Sequence, residues 1–94
     1  MRLAKFLDNL FKEDGFELID ANSKKYIIGN PKKEKPLTIK LFDKSLHYKL
    51  LLYPDFYFGQ AYAEESLTIE NGTLTEFLNM ALKNIGRKET NFFS

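Results

Sequence analysis

The 94-residue chain contains no cysteine, which removes disulfides, thiolate catalysis and cysteine-based metal sites from consideration. Histidine occurs once, at position 47, too few donors for a zinc site that wants several His or Cys ligands. The five glycines, Gly15, Gly29, Gly59, Gly72 and Gly86, all stand alone. No phosphate-cradling loop can be assembled from them, so a Rossmann-type dinucleotide or adenosylmethionine fold does not fit within the chain. Charge of one sign is not in excess either. Fourteen basic residues face thirteen acidic ones, for a net charge of +1. That balance leaves no electrostatic footprint for nucleic acid and no polybasic membrane anchor. No apolar run approaches the ~20 residues of a membrane span. The first ten residues are broken by Arg2, Lys5 and Asp8, unlike a signal peptide. Without cysteine or a leader, a cytoplasmic location is expected.

What the chain does have is aromatic mass. Hydrophobic residues make up 44%, with nine Phe and five Tyr, enough large side chains to close one modest core. The length suits one domain.

Leu3, Phe6, Leu7, Leu10 and Phe11 recur at helical spacing, opposite Arg2, Lys5, Asp8, Asn9 and Lys12. This predicts an amphipathic first helix, stopped at Asp14-Gly15 by glycine's tolerance of the left-handed region. Residues 16–21 and 25–29 read as a hairpin around Asn22, Ser23 and Lys24. A charged loop fenced by Pro31 and Pro36 follows. Residues 37–42 then alternate, with Leu37, Ile39 and Leu41 on one side and Thr38 and Lys40 on the other, as a half-buried strand does. Asp43 or Ser45 can cap a helix running to about Tyr53. Its run Leu50-Leu51-Leu52-Tyr53 is too continuous for an exposed helix, so it is expected to be buried all round or partly extended. Pro54 ends it. A second short helix over 55–63 and a strand over 66–70 come next. Thr73 and Glu76 form a capping box for a last helix, whose apolar face is Leu74, Phe77, Leu78, Ala81, Leu82 and Ile85. Gly86 closes it, with Arg87 and Lys88 at the negative end of its dipole. The sum predicts an α+β fold, a small, mainly antiparallel sheet with helices packed on one face. The domain spans 1–86, and 87–94 is a linker or tail.

Reactive constellations are scarce. His47 sits beside Leu46 and Tyr48, without a nucleophile or an orienting carboxylate near it in sequence, and is read as structural or merely exposed. Glu64 and Glu65 are adjacent and diverge, a poor acid–base pair. Asp8, Glu13, Asp14 and Glu17 are dispersed. Lys32, Lys33 and Lys35 belong to a solvated loop. No catalytic or metal residue is therefore expected. The cluster Tyr53, Phe56, Tyr57, Phe58 and Tyr62 is the one functional candidate. Core packing explains most apolar side chains, yet consecutive large residues on a helix cannot all reach one surface. Some of Phe56, Tyr57 and Phe58 must meet a partner domain, a second subunit or a lipid chain.

The segment Pro54-Asp55-Phe56-Tyr57-Phe58-Gly59-Gln60-Ala61-Tyr62 resembles the proline–acidic–apolar stretch leading to Gly-Glu-Ala-Tyr in the N-terminal domain of cyclopropane-fatty-acyl-phospholipid synthases. The likeness continues through Leu67–Leu78, a short strand, an acidic-Asn-Gly turn and a Leu-rich helix, and covers about residues 1–86. The order is also similar to sterol carrier protein type 2 domains. Gln60 stands where the family has Glu, and Ala63-Glu64-Glu65 where it has Met-Asp-Gly. The resemblance implies a sterol-carrier-like, non-catalytic accessory domain for lipid presentation or docking, with Phe56, Tyr57, Phe58, Gln60 and Tyr62 at the lipid or domain contact. S-adenosylmethionine would be bound by a separate C-terminal methyltransferase domain, not by this chain. The implied partners are that domain, phospholipid acyl chains and a second copy of the chain, at the inner membrane face. The alternative is a stand-alone lipid carrier with an internal apolar tunnel. An enzyme of another kind is the third reading.

Overall fold

The computed structural model describes residues 1–86. Its elements in order are α1 (Arg2–Leu10), β1 (Gly15–Ile19), β2 (Lys25–Gly29), β3 (Thr38–Leu41), α2 (Leu46–Leu52), α3 (Pro54–Ala63), β4 (Leu67–Glu70) and α4 (Leu74–Ala81), which runs into a π-helical turn, Leu82–Gly86. Arg87, Lys88, the expected tail 87–94 and the side chain of Ile85 lie outside the described residues.

The sheet has the order β2-β1-β3-β4. β1 pairs antiparallel with β2 and parallel with β3, and β3 pairs antiparallel with β4. The fold is therefore α+β with a mixed, mostly antiparallel sheet. Register assigns the two faces, since side chains alternate along a strand. Phe16 pairs with Ile28, Leu18 with Ile39, and Leu41 with Leu67. These side chains form one core with Leu3, Phe11, Leu46, Leu50, Ala61, Phe77 and Ala81 from the helices. The opposite face carries Glu17, Ile19, Ile27, Lys40 and Glu70.

Four rings knit the core. Phe77 lies 5.3 Å from Phe16, edge to face, and is stacked on Phe58 at 5.0 Å and on Phe11 at 6.0 Å. Phe11 and Phe16 meet edge to face at 5.0 Å. Such pairs each add about 0.5–1.5 kcal/mol beyond the area they bury.

Three local expectations need correction, and one is narrowed to one of its two alternatives. Gly15 does not supply the left-handed turn after α1; Asp14 does, at φ 68°. Its carboxylate accepts from the Gly15 and Lys32 amides, which stabilises the bend. Gly15 is needed for close approach instead. It pairs with Gly29, and a Cβ there would sit 2.0 Å from the Ile28 carbonyl oxygen. Secondly, the run at the end of α2 is not buried all round; it is helical through Leu52 and leaves the helix only at Tyr53, so the partly extended alternative holds at that residue. Leu50 points inward while Leu52 and Tyr53 are exposed, because the core touches only one side of this helix. Thirdly, Ser45 makes no side-chain cap to α2. Asp43 turns the chain, accepting from both the amide and the hydroxyl of Ser45. Those bonds hold its carboxyl below the usual range. Lastly, Thr38 is buried although it faces away from the helices. A central strand and a hydroxyl bonded to Glu17 and the Pro36 carbonyl enclose it. The capping box of α4 forms as expected, with Thr73 and Glu76 exchanging 3.1 and 2.8 Å bonds.

Candidate docking surface

α2 and α3 meet at an elbow. Tyr53 leaves the helical region (φ −140°, ψ 75°), and Pro54 begins α3 at a position where its missing N–H costs nothing. Inward positions fall four residues apart on α2, at Leu46 and Leu50, while α3 seats Ala61 against the core. The outward positions carry large apolar groups. Tyr48 and Leu52 share the outer side of α2 at i, i+4. Tyr53, Phe56 and Gln60 follow one another along the outer side of α3. Leu52 is 65% exposed, and Tyr53 and Phe56 are each 63% exposed.

The residues expected at the contact separate by helix geometry. Phe56 is exposed and meets Tyr57 edge to face at 5.0 Å. Tyr57 is half-buried, and the Lys49 ammonium lies 5.4 Å from its ring centre. Phe58 turns the other way and stacks on Phe77, so it serves the core. Gln60 is exposed and donates to Glu64 at 3.3 Å. Tyr62 is exposed but lies off the line of Phe56. Phe56, Tyr57 and Gln60 thus belong to a ridge, and Phe58 does not. Tyr48 and Leu52 belong to it and were missed. Their signal was the i, i+4 offset from the inward pair Leu46 and Leu50.

α3 ends in a six-to-one turn. The Ser66 amide donates to the Ala61 carbonyl and the Glu65 amide to that of Tyr62. Glu65 occupies the left-handed position between them, at φ 64°, where helices commonly place glycine.

Away from the ridge, two cavities stand out. One of about 210 Å³ lies between α4 and the 31–37 loop, lined by Asp14, Lys33, Glu76 and Lys83 as well as Leu37 and Met80. Lys33 and Glu76 of its lining pair at 3.1 Å, and this hydrogen bond is the main reason the Glu76 carboxyl sits below its ordinary value. The other, about 520 Å³, is an open groove between α1 and β2 lined by Arg2, Lys5, Asp8 and Ile27. Among the described residues, no group of three or more His, Asp or Glu side chains could hold a metal ion, and no helix is long and apolar enough to cross a membrane.

His47 has partners that its sequence neighbours did not reveal. Its Nε2 accepts from the Ala21 amide at 3.0 Å. The ring in turn is one of the lesser influences that lower the carboxyls of Asp20, in the β1–β2 turn, and of Asp43. Asp20 is buried and accepts from the Asn22 and Lys24 amides and from the Tyr26 hydroxyl. Burial is the largest single influence on its carboxyl and pushes it up. The Lys24 and Asn22 amides, Tyr26 and His47 together outweigh it and hold the group below its usual value.

No family model, curated protein or solved structure matches the chain.

Proposed function

We propose that the chain is a non-catalytic docking domain that presents lipid to an S-adenosylmethionine-dependent, cyclopropane-fatty-acid-synthase-like enzyme. The observation that carries this reading is the ridge of Tyr48, Leu52, Tyr53 and Phe56. It is a set of large apolar side chains on two consecutive helices and the elbow between them, turned away from the core of the described residues. Several large apolar side chains exposed on neighbouring elements of a small domain favour a place where something binds. Tyr rings with a polar tip suit a half-wet boundary such as an acyl chain below a headgroup.

Two details support the family resemblance at the positions where the sequence departs from it. Glu65 stands where the family has glycine and keeps a left-handed backbone, so the turn survives the substitution. Gln60 replaces the family's Glu and bonds Glu64, where a second carboxylate would add like-charge repulsion at i, i+4. The chain's own residues do not suit adenosylmethionine, since its glycines are isolated and no Gly-rich turn follows a strand. The cofactor is assigned to a companion methyltransferase domain. The domain would work in the cytoplasm, at the inner membrane face. A stand-alone lipid carrier needs an apolar chamber. Both cavities described carry charged walls, and Phe58 and Phe77 fill the space between α3 and α4.

The test is partitioning onto vesicles of unsaturated phosphatidylethanolamine and phosphatidylglycerol. The double variant Leu52→Ala/Phe56→Ala should keep its circular dichroism. It should lose at least about tenfold in partition coefficient, because each side chain is worth ~1.5–3 kcal/mol when buried. Equal partitioning of the variant, or none by the wild type, would remove the lipid role.

A further inference from the structure

We propose that His47 is a proton-sensitive latch that holds α2 to the β1–β2 turn when neutral and lets go when charged. The bond from the Ala21 amide to Nε2, at 3.0 Å, needs a lone pair on that nitrogen. The ring proton therefore sits on Nδ1. A second proton on Nε2 sets N–H against N–H, and the bond to Ala21 cannot exist in the imidazolium. Histidine is the side chain whose charge ordinarily changes between about pH 5 and 8.

The surroundings offer the charged ring somewhere to go. Asp20 lies in the same turn as Ala21. Its Oδ1 already accepts two backbone amides, at 2.8 and 2.9 Å. Its Oδ2 accepts the Tyr26 hydroxyl at 3.3 Å, long for an O–H donor. Oδ2 thus has capacity for a charge-assisted bond from the imidazolium. Of the cations nearby, Lys24 lies over the Tyr26 ring, and Lys49 lies over the Tyr57 ring and also acts on the Asp43 carboxyl. On α1, Arg2, Lys5 and Asp8 line the groove against β2. On α3, Asp55 is exposed. Protonation therefore exchanges a backbone tie for a side-chain tie. The turn loses its hydrogen bond to α2, and the ring rotates toward Asp20. Tyr48 and Leu52 ride on the outer side of the same helix. On the docking reading, acidification would loosen half of the ridge, but the latch stands without that reading.

Nuclear magnetic resonance of the whole chain tests it. The His47 ring signals and the Ala21 amide are followed from pH 8 to 5, beside the variant His47→Gln, whose side-chain carbonyl can accept from Ala21 but does not titrate. In the wild type, Ala21 should shift along the His47 titration. Its exchange protection, corrected for intrinsic pH dependence, should fall about fivefold, the equilibrium worth of one hydrogen bond. The Ala21 amide should stay flat in His47→Gln. An Ala21 amide that ignores protonation of the ring, or an equal change in the variant, overturns the proposal. The wild-type titration decides the matter even if the variant does not fold. No vesicle enters the experiment, so its failure bears on the latch alone.

Discussion

Asn84 uses every hydrogen-bonding site it has, and its removal makes a sharp test of how the domain is closed. Its Oδ1 accepts from the Lys12 and Glu13 amides at 2.8 and 2.7 Å, and its Nδ2 donates to the Glu13 and Met80 carbonyls at 2.9 and 2.8 Å. One side chain in the π-helical turn after α4 therefore fixes the loop between α1 and β1, across more than seventy residues of sequence. Each bond is worth ~0.5–1.5 kcal/mol net. The Lys12 and Glu13 backbone is exposed enough for water to replace part of this. Asn84→Ala should therefore cost about 2 kcal/mol in urea unfolding followed by circular dichroism. For a domain of this size that lowers Tm by roughly 8–16 °C. It is a large share of the ~5–15 kcal/mol that small domains possess. Asn84→Asp should be no better at neutral pH, because it keeps both acceptors but turns a carboxylate toward two carbonyls. Amide exchange supplies the local readout, with Lys12 and Glu13 losing protection before the β1–β3 pairs do. A loss below about 0.5 kcal/mol, the range of an ordinary surface change, with unaltered exchange at Lys12 and Glu13, would refute the reasoning.

Two further outcomes follow from the backbone and the charges. Glu65→Gly should raise stability by about 0.5–1 kcal/mol in the same unfolding assay. It relieves ~1–2 kcal/mol of left-handed strain and returns part of it as unfolded-chain entropy. An unchanged or lower midpoint would contradict the turn at the end of α3. Asp20 makes a contribution with a definite sign against pH. Its folded value lies below the ordinary 3.8, so its stabilisation is complete above that value and fades as pH falls through the lower folded one. Urea unfolding between about pH 5 and 2 should show a steeper acid loss in the wild type than in Asp20→Asn, which keeps an acceptor for the Asn22 and Lys24 amides. Parallel acid slopes would show that Asp20 is not part of that limb.

Signals carried by near neighbours were legible in the sequence. The capping box at Thr73 needs only residues three apart, the hairpin needs two short apolar runs and a polar turn, and β3 needs alternation. Each appeared where its pattern placed it. What failed depended on contacts between distant segments. Gly15 looked like a helix stop because glycine favours that role, yet its purpose is set by Gly29, which no local window includes. Asn84 is an ordinary polar residue on a helix until the Lys12–Glu13 backbone arrives beside it. His47 showed no tie to the β1–β2 turn in sequence, because its hydrogen-bond donor, the Ala21 amide, lies twenty-six positions away along the chain. The ridge was half legible. Phe56 was identified as exposed by counting rings against one available surface. Phe58 was assigned to the same contact because consecutive rings give no hint of which one the core takes.

The exposed ridge is not a by-product of forming the fold. Four strands give the helices one side of a small sheet to cover, and Leu46, Leu50 and Ala61 already occupy the inward positions of α2 and α3. Ala61, being small, lets α3 approach closely, so bulk on that helix is carried by Phe58 inside and Phe56 outside. Nothing in the core requires Leu52 or Phe56 to be apolar, since their side chains end in solvent. Polar residues of equal helix propensity would serve the fold as well and would lower the risk of aggregation. On the proposed docking reading, an occupant outside the domain covers this apolar line, which the domain does not need for its own stability. Stability and partitioning should therefore separate cleanly in ridge variants, whereas changes to Phe58 or Phe77 should move both together.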